Sequence, residues 1–353
     1  MSSIQAIYWD LHTISLKVPF TIACKTYTSV DVYVLSLGLS NGKTGYGTAT
    51  FVERVTGENH DIVQHAIQTI ADKLKGKTFD LPTNCQQLQS IQAISPATSA
   101  LYELALHDLQ GKIHNRPLID VFGRKHPDLP TSITLGIQNI SQTSQQLEQY
   151  MAIGFTIFKI KIGANLQADI HDLHQIRQVI GPKALLRVDA NQGYNLAKLQ
   201  TFYNATAHLN IEFIEQPLAK NHEKELSSFK SCALAADESL ATFTDAKRIA
   251  QADSAYHILN IKLMKCGGLT AAFKIADLAT QHRKHLMWGC NLESIAGIAA
   301  AYSAALACKA TKYLDLDSHL LIQEDLFSSN LSIQNGVLQF TSNAPGLGLE
   351  PKF

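Results

Sequence analysis

Short strand-like runs recur through the middle of the chain at a near-constant interval, and five consecutive runs end on a charged residue. These residues are Lys161, Asp189, Glu215, Asp237 and Lys262, spaced 22 to 28 residues apart. Each interval accommodates one strand, one helix and two loops, so the pattern predicts successive β/α units. Because side chains at the carboxyl ends of barrel strands converge on one site, we expect these five charged groups to lie close together.

The repeat predicts eight strands in all. They lie near Thr131–Gly136, Thr156–Ile162, Ala184–Asp189, Ile211–Glu215, Ala233–Asp237, His257–Lys262, His285–Gly289 and Lys312–Asp315. Eight strands in a β/α series close into a barrel. Residues 126–320 are therefore predicted to form a (β/α)7β TIM-like barrel, the site-bearing domain of an α/β protein.

The two ends of the chain follow a different pattern. β-rich runs at Ile4–Ile14, Asp31–Leu37 and Lys43–Ala49, with a turn at Asn41-Gly42, predict an antiparallel meander. Helical runs follow at Asn59–Leu74, Asn84–Gln92 and Ala97–Lys112. We expect residues 1–125 to form an α+β capping domain. Residues 321–353, with a predicted hairpin at Leu331–Phe340, are expected to pack back on that domain.

Composition narrows the classes of partner. The 30 lysines and arginines balance the 30 aspartates and glutamates, and no basic run occurs. This balance argues against a nucleic-acid or membrane-surface partner and favours a small-molecule substrate. The longest apolar stretch, residues 296–308, is too short to span a bilayer. Six cysteines without a C-x-x-C pair, and no apparent signal peptide, favour a cytoplasmic protein.

Three carboxylates end adjacent strands of the predicted barrel. Asp189, Glu215 and Asp237 would repel one another strongly at close range, so they share protons or bind a cation. Oxygen ligands without nearby cysteine or histidine favour a hard divalent ion, and Mg²⁺ fits because it needs few protein ligands. A single aspartate at a strand end is more often a helix N-cap, but three in successive repeats favour the metal site.

The lysines point to proton transfer. Strands two and six of an eight-stranded barrel lie opposite each other, so Lys161 and Lys262 are predicted to face each other across the mouth. Lys159 is two residues before Lys161 and shares its face. Crowded cations and burial are expected to lower a lysine pKa towards neutrality, as a general base requires. The alternative is that these lysines pair with the carboxylates and stabilise a polar barrel end.

The last barrel strand ends in Asp315-Leu316-Asp317, which places two carboxylates on one face. Two inward carboxylates away from the metal suit a substrate ammonium group, although the pair could instead cap the following loop. Together with the metal site, this pair predicts a substrate with a carboxylate at one end and a primary amine at the other.

Several short motifs resemble those of a known family. They are Lys159-Ile160-Lys161, Asp189-Ala190-Asn191, Glu215-Gln216-Pro217, Asp237-Glu238-Ser239 and the run from Asn260 to Gly268. They resemble the muconate lactonizing enzyme subgroup of the enolase superfamily, and the likeness covers nearly the whole chain. Within that subgroup, Asp315-Leu316-Asp317 resembles the ammonium-binding motif of the dipeptide epimerases, the relatives of L-Ala-D/L-Glu epimerase.

The resemblance implies a Mg²⁺-dependent isomerase that inverts the α-carbon of the C-terminal residue of a dipeptide. Asp189, Glu215 and Asp237 would hold the metal. Lys161 and Lys262 would be two bases that carry out a 1,1-proton transfer through an enolate, with Lys159 helping to neutralise the enolate. The substrate-binding residues would be Lys159, Thr134, Cys290, Leu292, Asp315 and Asp317. The partner would be a small-molecule dipeptide substrate. The protein would act as a single chain or as a homo-oligomer.

Two charged residues in the predicted capping loops bear on side-chain preference. Lys25 lies where the Ala-Glu epimerases tend to carry an arginine, and lysine is a poorer bidentate partner for a carboxylate. Glu53 lies in the second specificity loop and could receive a basic side chain. Whichever of the two is not paired with the other is expected to select the substrate.

Other functions remain open at this point. An o-succinylbenzoate synthase, an N-acylamino acid racemase or a cycloisomerase of the same subgroup would share the metal ligands and lysines, but their substrates lack an ammonium group. A non-catalytic ligand-binding barrel would have no need for two opposed bases.

Overall fold

The computed structural model describes residues 2–353. The chain begins with a three-stranded antiparallel sheet of β1 (Ile4–Ile22), β2 (Lys25–Leu39) and β3 (Thr44–Ala49). The first hairpin is longer than the sequence predicts, because β1 and β2 continue to a two-residue turn at residues 23–24. Its pairing shifts register between Ser15 and Phe20, around Pro19, which has no N–H for the strand ladder.

Five helices complete the capping domain. They are α1 (Glu53–Thr56), α2 (His60–Leu74), α3 (Leu81–Gln92), α4 (Pro96–His114) and α5 (Leu118–Phe122). The three longer ones correspond to the three predicted helices. Each begins at a side-chain cap, because Asn59, Asp80 and Ser95 accept hydrogen bonds from backbone N–H groups of the first turn.

Helix α4 packs directly on the backbone of β3, and glycine makes this approach possible. A Cβ atom at Gly47 would overlap the carbonyl oxygen of Leu101 and lie 3.0 Å from the Ala105 nitrogen. A side chain at this position would therefore push α4 away from the sheet and loosen the core of the capping domain.

We expect Gly47→Ala to lower the free energy of unfolding by about 1–3 kcal/mol, the usual cost of overpacking a core. Urea denaturation measures this difference. Gly38→Ala is the matched control, because the added methyl group would meet only the Ala6 side chain at 3.2 Å and its backbone oxygen at 3.8 Å. Equal stability of the Gly47→Ala and Gly38→Ala proteins would contradict the packing argument.

The second domain alternates strands and helices. Its elements are β4 (Ile133–Leu135), α6 (Ile140–Ala152), β5 (Ile157–Lys161), α7 (Leu166–Ile180), β6 (Leu185–Asp189), α8 (Leu196–Thr206), β7 (Ile211–Glu215), β8 (Leu234–Ala236), α9 (Phe243–Ile249), β9 (Ile258–Ile261), α10 (Leu263–Cys266), α11 (Leu269–Gln281), β10 (His285–Gly289), α12 (Ile295–Ala307) and β11 (Thr311–Asp315). All eight predicted strands are present, within two residues at either end. A 3-10 helix, Glu223–Ser228, replaces an α-helix in the shortest interval, between β7 and β8.

The eight strands form one parallel sheet in sequence order from β4 to β11. The Ser132 N–H, just before β4, donates to the Leu314 carbonyl of β11 at 3.1 Å and links the two edges. The sheet is therefore a nearly closed barrel, which confirms the predicted fold class. Its interior towards the amino ends of the strands contains Phe213, Met287 and Tyr313, and the buried Arg187 guanidinium lies over the rings of Phe213 and Tyr313. The carboxylates and lysines at the carboxyl ends of the strands lie at the opposite mouth.

Helix α12 is the most apolar helix, and every one of its residues is buried inside the protein. Across residues 2–353, no helix is both long enough and apolar enough to span a membrane.

The C-terminal segment divides between the two domains. It contains β12 (Phe327–Ser329), β13 (Leu331–Gln334), β14 (Val337–Phe340) and β15 (Leu349–Pro351). The tail contacts the capping domain, where the Leu347 N–H donates to Asp108 at 2.8 Å. The β13–β14 hairpin instead contacts the barrel, because Thr131 N–H donates to Gly336 and Leu338 N–H donates to Leu129. Of the segment expected to pack back on the first domain, the tail therefore contacts the capping domain, whereas the hairpin contacts the barrel.

Candidate active site

The three predicted metal ligands meet at the mouth of the barrel. Asp189 and Glu215 are the last residues of β6 and β7 and are register partners, and Asp237 directly follows β8. One carboxylate oxygen from each lies within 4.8 Å of the others, and all three residues are buried. Parallel pairing of adjacent strands is what brings these residues together from three separate repeats.

The electrostatics of this trio suit a divalent cation. Burial, and next the neighbouring Asp189 carboxylate, raise the pKa of Glu215 to about 7. Burial also disfavours the charged forms of Asp189 and Asp237, but adjacent lysines outweigh it and hold both pKa values below the usual range. The donor set consists of oxygen atoms only, which matches the preference of Mg²⁺. The residues present therefore fit this ion.

Lys161 and Lys262 flank the three carboxylates from opposite sides. Lys161 ends β5 and its Nζ lies 2.6 Å from Asp189 Oδ2, whereas Lys262 follows β9 and its Nζ lies 2.9 Å from Asp237 Oδ2. Strands β6, β7 and β8 lie between them. Burial alone would lower the pKa of Lys262, but the carboxylates of Asp237 and Glu215 outweigh it and raise that pKa. The neighbouring carboxylates therefore raise this lysine pKa, whereas the sequence predicts that it is lowered.

Lys159 lies deeper in the barrel and joins the two groups of carboxylates. Its Nζ is 2.6 Å from Glu215 Oε2, 3.2 Å from Asp189 Oδ2 and 2.7 Å from Asp315 Oδ2. The lysine is buried, and the attraction of these carboxylates exceeds the effect of burial and raises its pKa. Lys159 is therefore a fixed positive charge beside the metal ligands.

Asp315 and Asp317 share the opposite wall but have different surroundings. Besides Lys159, Asp315 accepts hydrogen bonds from the hydroxyls of Ser132 at 2.6 Å and Thr134 at 3.0 Å. Asp317 accepts the Thr134 N–H at 2.6 Å, and burial, together with the Asp315 charge, raises its pKa to about 7. Asp315 thus has a positively charged partner in Lys159, whereas Asp317 is a buried carboxylate without an ion-pair partner in the described chain.

A cavity of about 470 Å³ between the capping sheet and the barrel mouth contains most of the predicted site, a volume within the usual range for small-molecule sites. The predicted residues that line it are Lys25, Glu53, Thr134, Lys159, Lys161, Asp237, Lys262, Cys290, Leu292, Asp315 and Asp317. Asp189 and Glu215 are fully buried beneath it. Both capping loops therefore reach the same cavity as the barrel residues.

The two charged loop residues do not pair with each other. Lys25 Nζ lies over the ring of Tyr27, 4.7 Å from its centroid. Glu53 begins α1, is exposed, and has no ion-pair partner anywhere in the described chain. Its neighbour Arg54 lies 3.6 Å from Glu238, which follows the metal ligand Asp237. The Arg54–Glu238 ion pair thus connects α1 to the barrel. Glu53 lines the cavity and forms no ion pair within the described chain.

Several residues of the site were not predicted. Lys265 donates to Asp237, and Asn260 Nδ2 donates to Glu215 Oε1 at 2.8 Å. Asn260 could have been found from its i, i+2 spacing to Lys262, which places both on the inner face. Lys265 could not, because it reaches Asp237 only through the helical turn of α10.

Two family models match the chain. Residues 6–123 match the mandelate racemase / muconate lactonizing enzyme N-terminal domain, and residues 142–353 match the enolase C-terminal domain-like family. A curated L-Lys-D/L-Arg epimerase of Desulforapulum autotrophicum is 39% identical over 96% of both chains. An L-Ala-D/L-Glu epimerase of Francisella tularensis subsp. novicida is 31% identical over 99% of both.

A solved structure is also similar. The dipeptide epimerase from Methylococcus capsulatus, complexed with Mg and the dipeptide L-Arg-D-Lys, superposes with a TM-score of 0.94. It is 35% identical, and the match covers 98% of this chain and 99% of that one. Together with the two family models, these likenesses confirm the resemblance predicted from the motifs. The chain therefore belongs to the mandelate racemase / muconate lactonizing enzyme family of the enolase superfamily.

Proposed function

We propose that this protein is a Mg²⁺-dependent dipeptide epimerase that inverts the α-carbon of the C-terminal residue and prefers basic side chains. The observation that carries the proposal is the placement of Lys161 and Lys262 on opposite sides of the carboxylate trio. An α-carbon bound between them has an amine on each face. Inversion of configuration needs the proton to leave from one face and another to return on the opposite face, and this arrangement provides an amine for each step.

The reaction needs the two lysines in different protonation states. One lysine enters as a neutral amine and takes the α-proton, while the other enters as an ammonium ion and gives a proton to the opposite face. After the transfer the two states are exchanged, so the reverse epimerisation uses the same groups. The carboxylates of Asp237 and Glu215 raise the pKa of Lys262 and favour its ammonium form, so its base function is expected when their negative charge is offset.

The three carboxylates Asp189, Glu215 and Asp237 would hold the metal. When bound, Mg²⁺ would attract the substrate carboxylate and stabilise the negative charge that develops on it as the α-proton leaves. Lys159, within 3.2 Å of both Asp189 and Glu215, adds a preorganised positive charge in the same place.

The amino end of the substrate would bind at Asp315 and Asp317. Both carboxylates line the cavity on the side away from the metal ligands. A free α-ammonium group in contact with Asp317 supplies the positive partner that this buried carboxylate lacks. Thr134, Cys290 and Leu292 line the cavity around it and would contact the substrate.

The preference for basic side chains rests on Glu53. This carboxylate faces the cavity without an ion-pair partner within residues 2–353, whereas Lys25 lies over Tyr27. The 39% identity to an L-Lys-D/L-Arg epimerase, against 31% to an L-Ala-D/L-Glu epimerase, supports the same choice.

N-acetylation of a good dipeptide substrate is expected to reduce kcat/KM by at least about 30-fold. The reason is that loss of one partner of a buried charge pair costs about 2–5 kcal/mol, and each 1.4 kcal/mol is about tenfold. N-methylation is the control, because it keeps the positive charge. Asp317→Asn should reduce the difference between free and N-acetylated dipeptides. Equal turnover of both would move the assignment to N-acylamino acid racemisation.

A further inference from the structure

A carboxylate of the capping sheet, Asp31, lies in the cavity wall and has no part in the site described so far. It is on β2, opposite Thr13 of β1. The Thr13 hydroxyl donates a hydrogen bond to Asp31 Oδ1 at 2.6 Å, while 40% of the Asp31 side chain remains exposed. The carboxylate is therefore held in one orientation from behind, with a surface open to the cavity.

A second contact comes from helix α2. His60 Nε2 lies 3.3 Å from Asp31 Oδ2, and the other ring nitrogen, Nδ1, lies 2.7 Å from the hydroxyl of the buried Tyr33. A neutral imidazole that accepts the Tyr33 proton at Nδ1 presents its Nε2–H to Asp31. Thr13 and His60 are therefore the two side chains that hold the Asp31 carboxylate in place at the cavity wall.

No strong cation neutralises Asp31 in the part of the chain that the structure describes. Lys17, farther along the same strand as Thr13, has its Nζ bonded to the Leu320 carbonyl at 2.8 Å. No lysine or arginine lies within ion-pair distance of Asp31. A carboxylate that is oriented by its neighbours and faces a binding cavity is suited to receive a cation from the ligand.

The position of Asp31 indicates which end of the substrate it would contact. The strand segment next to Thr13 contacts the chain that follows Asp317, because Gln323 N–H donates to Ser15 and Lys17 N–H donates to Leu321. The wall of β1 and β2 that carries Asp31 therefore lies beside the chain that follows Asp317, where the substrate ammonium is expected, and its other neighbour, His60, packs against Phe51. Glu53 is on the side of Arg54 and Glu238, near the metal ligands.

We propose, on the basis of the proposed function, that Asp31 is a specificity-determining residue that binds the basic side chain of the N-terminal residue of the dipeptide. Glu53 then reads the C-terminal residue. The two carboxylates would act separately, one at each substrate position, so the preferred substrate carries a basic side chain on both residues.

The test measures kcat/KM for Lys-Ala, Ala-Lys and Ala-Ala with the Mg²⁺-loaded wild type, Asp31→Asn and Glu53→Gln. Hydrogen bonds to charged groups are strong enough that loss of one changes a substrate ratio by about tenfold or more. We expect Asp31→Asn to lower the Lys-Ala to Ala-Ala ratio by at least about tenfold and to leave the Ala-Lys to Ala-Ala ratio within about twofold. Glu53→Gln should do the reverse.

Asp10→Asn is the matched control, because Asp10 is a β1 carboxylate with 78% exposure outside the cavity. It should change neither ratio. If Asp31 were only structural, Asp31→Asn would lower all three values alike and leave both ratios unchanged, and that result would overturn the inference while leaving the proposed function intact. Equal loss at both positions would also overturn it. Wild-type protein that epimerises none of the three dipeptides would overturn the proposed function and this inference together.

Discussion

Replacing Lys161 by alanine is expected to stop epimerisation while exchange of the α-proton continues for one diastereomer. The substitution removes the amine on one face of the α-carbon, and Lys262 can still remove and return a proton on its own face. Loss of a general base typically costs about 10²–10⁴-fold in rate, so epimerisation should fall at least about 100-fold. Lys262→Ala should show the complementary pattern, with exchange from the other diastereomer only.

Lys161→Arg is the control for charge. It keeps a cation beside Asp189, which the Lys161 amine contacts at 2.6 Å, but a guanidinium does not act as a base at neutral pH. Lys161→Arg should therefore resemble Lys161→Ala in epimerisation and retain more of the thermal stability. If both alanine variants kept epimerase turnover near the wild-type rate, the assignment of two bases would be wrong.

Removal of the metal should abolish turnover completely, and added Mg²⁺ should restore it. Loss of a residue that only orients a metal ligand already costs about 10–100-fold in metal affinity. We therefore expect Asp237→Asn, which removes a ligand charge, to weaken Mg²⁺ binding by at least about 100-fold. Isothermal titration with Mg²⁺ measures the affinity independently of activity.

Asp10→Asn, with the same chemical change on the exposed surface, should bind Mg²⁺ as the wild type does. Asp237→Asn also leaves Lys262 and Lys265 without the carboxylate that both contact, so its circular dichroism spectrum should be compared with that of the wild type. Full turnover after exhaustive dialysis against EDTA, or unchanged Mg²⁺ affinity in folded Asp237→Asn protein, would show that the trio is not a metal site.

The barrel could be predicted because its repeat is local in sequence. Each strand–loop–helix–loop unit has a nearly constant length, and the charged residues mark the strand ends, so Lys161, Asp189, Glu215 and Asp237 could be placed together before any contact was known. The interval between Glu215 and Asp237 is the shortest, at 22 residues. It still contains a complete repeat unit, because a short 3-10 helix, Glu223–Ser228, replaces the α-helix there.

Features that depend on contacts distant in sequence could not be predicted. The β13–β14 hairpin has a clear local pattern, but whether it contacts the capping domain or residues 129–131 depends on the route of the chain. The pKa of Lys262 depends on whether cations or carboxylates lie nearer to its amine, and the register of β7, β8 and β9 decides this. Asp31 is the first residue of the predicted strand Asp31–Leu37, and only the path of β1 and β2 over the barrel places it in the cavity.

Isotope exchange in D2O shows which α-carbon of the dipeptide reacts and whether its configuration is inverted. The Mg²⁺-loaded protein is incubated with L-Lys-L-Arg, and NMR follows the two α-protons while chiral analysis of the hydrolysed product gives the configuration of each residue. We expect loss of the α-proton signal of the C-terminal residue alone, with deuterium in the product of inverted configuration. Retention of that proton at full Mg²⁺ saturation, or exchange at the N-terminal residue instead, would contradict the proposed function.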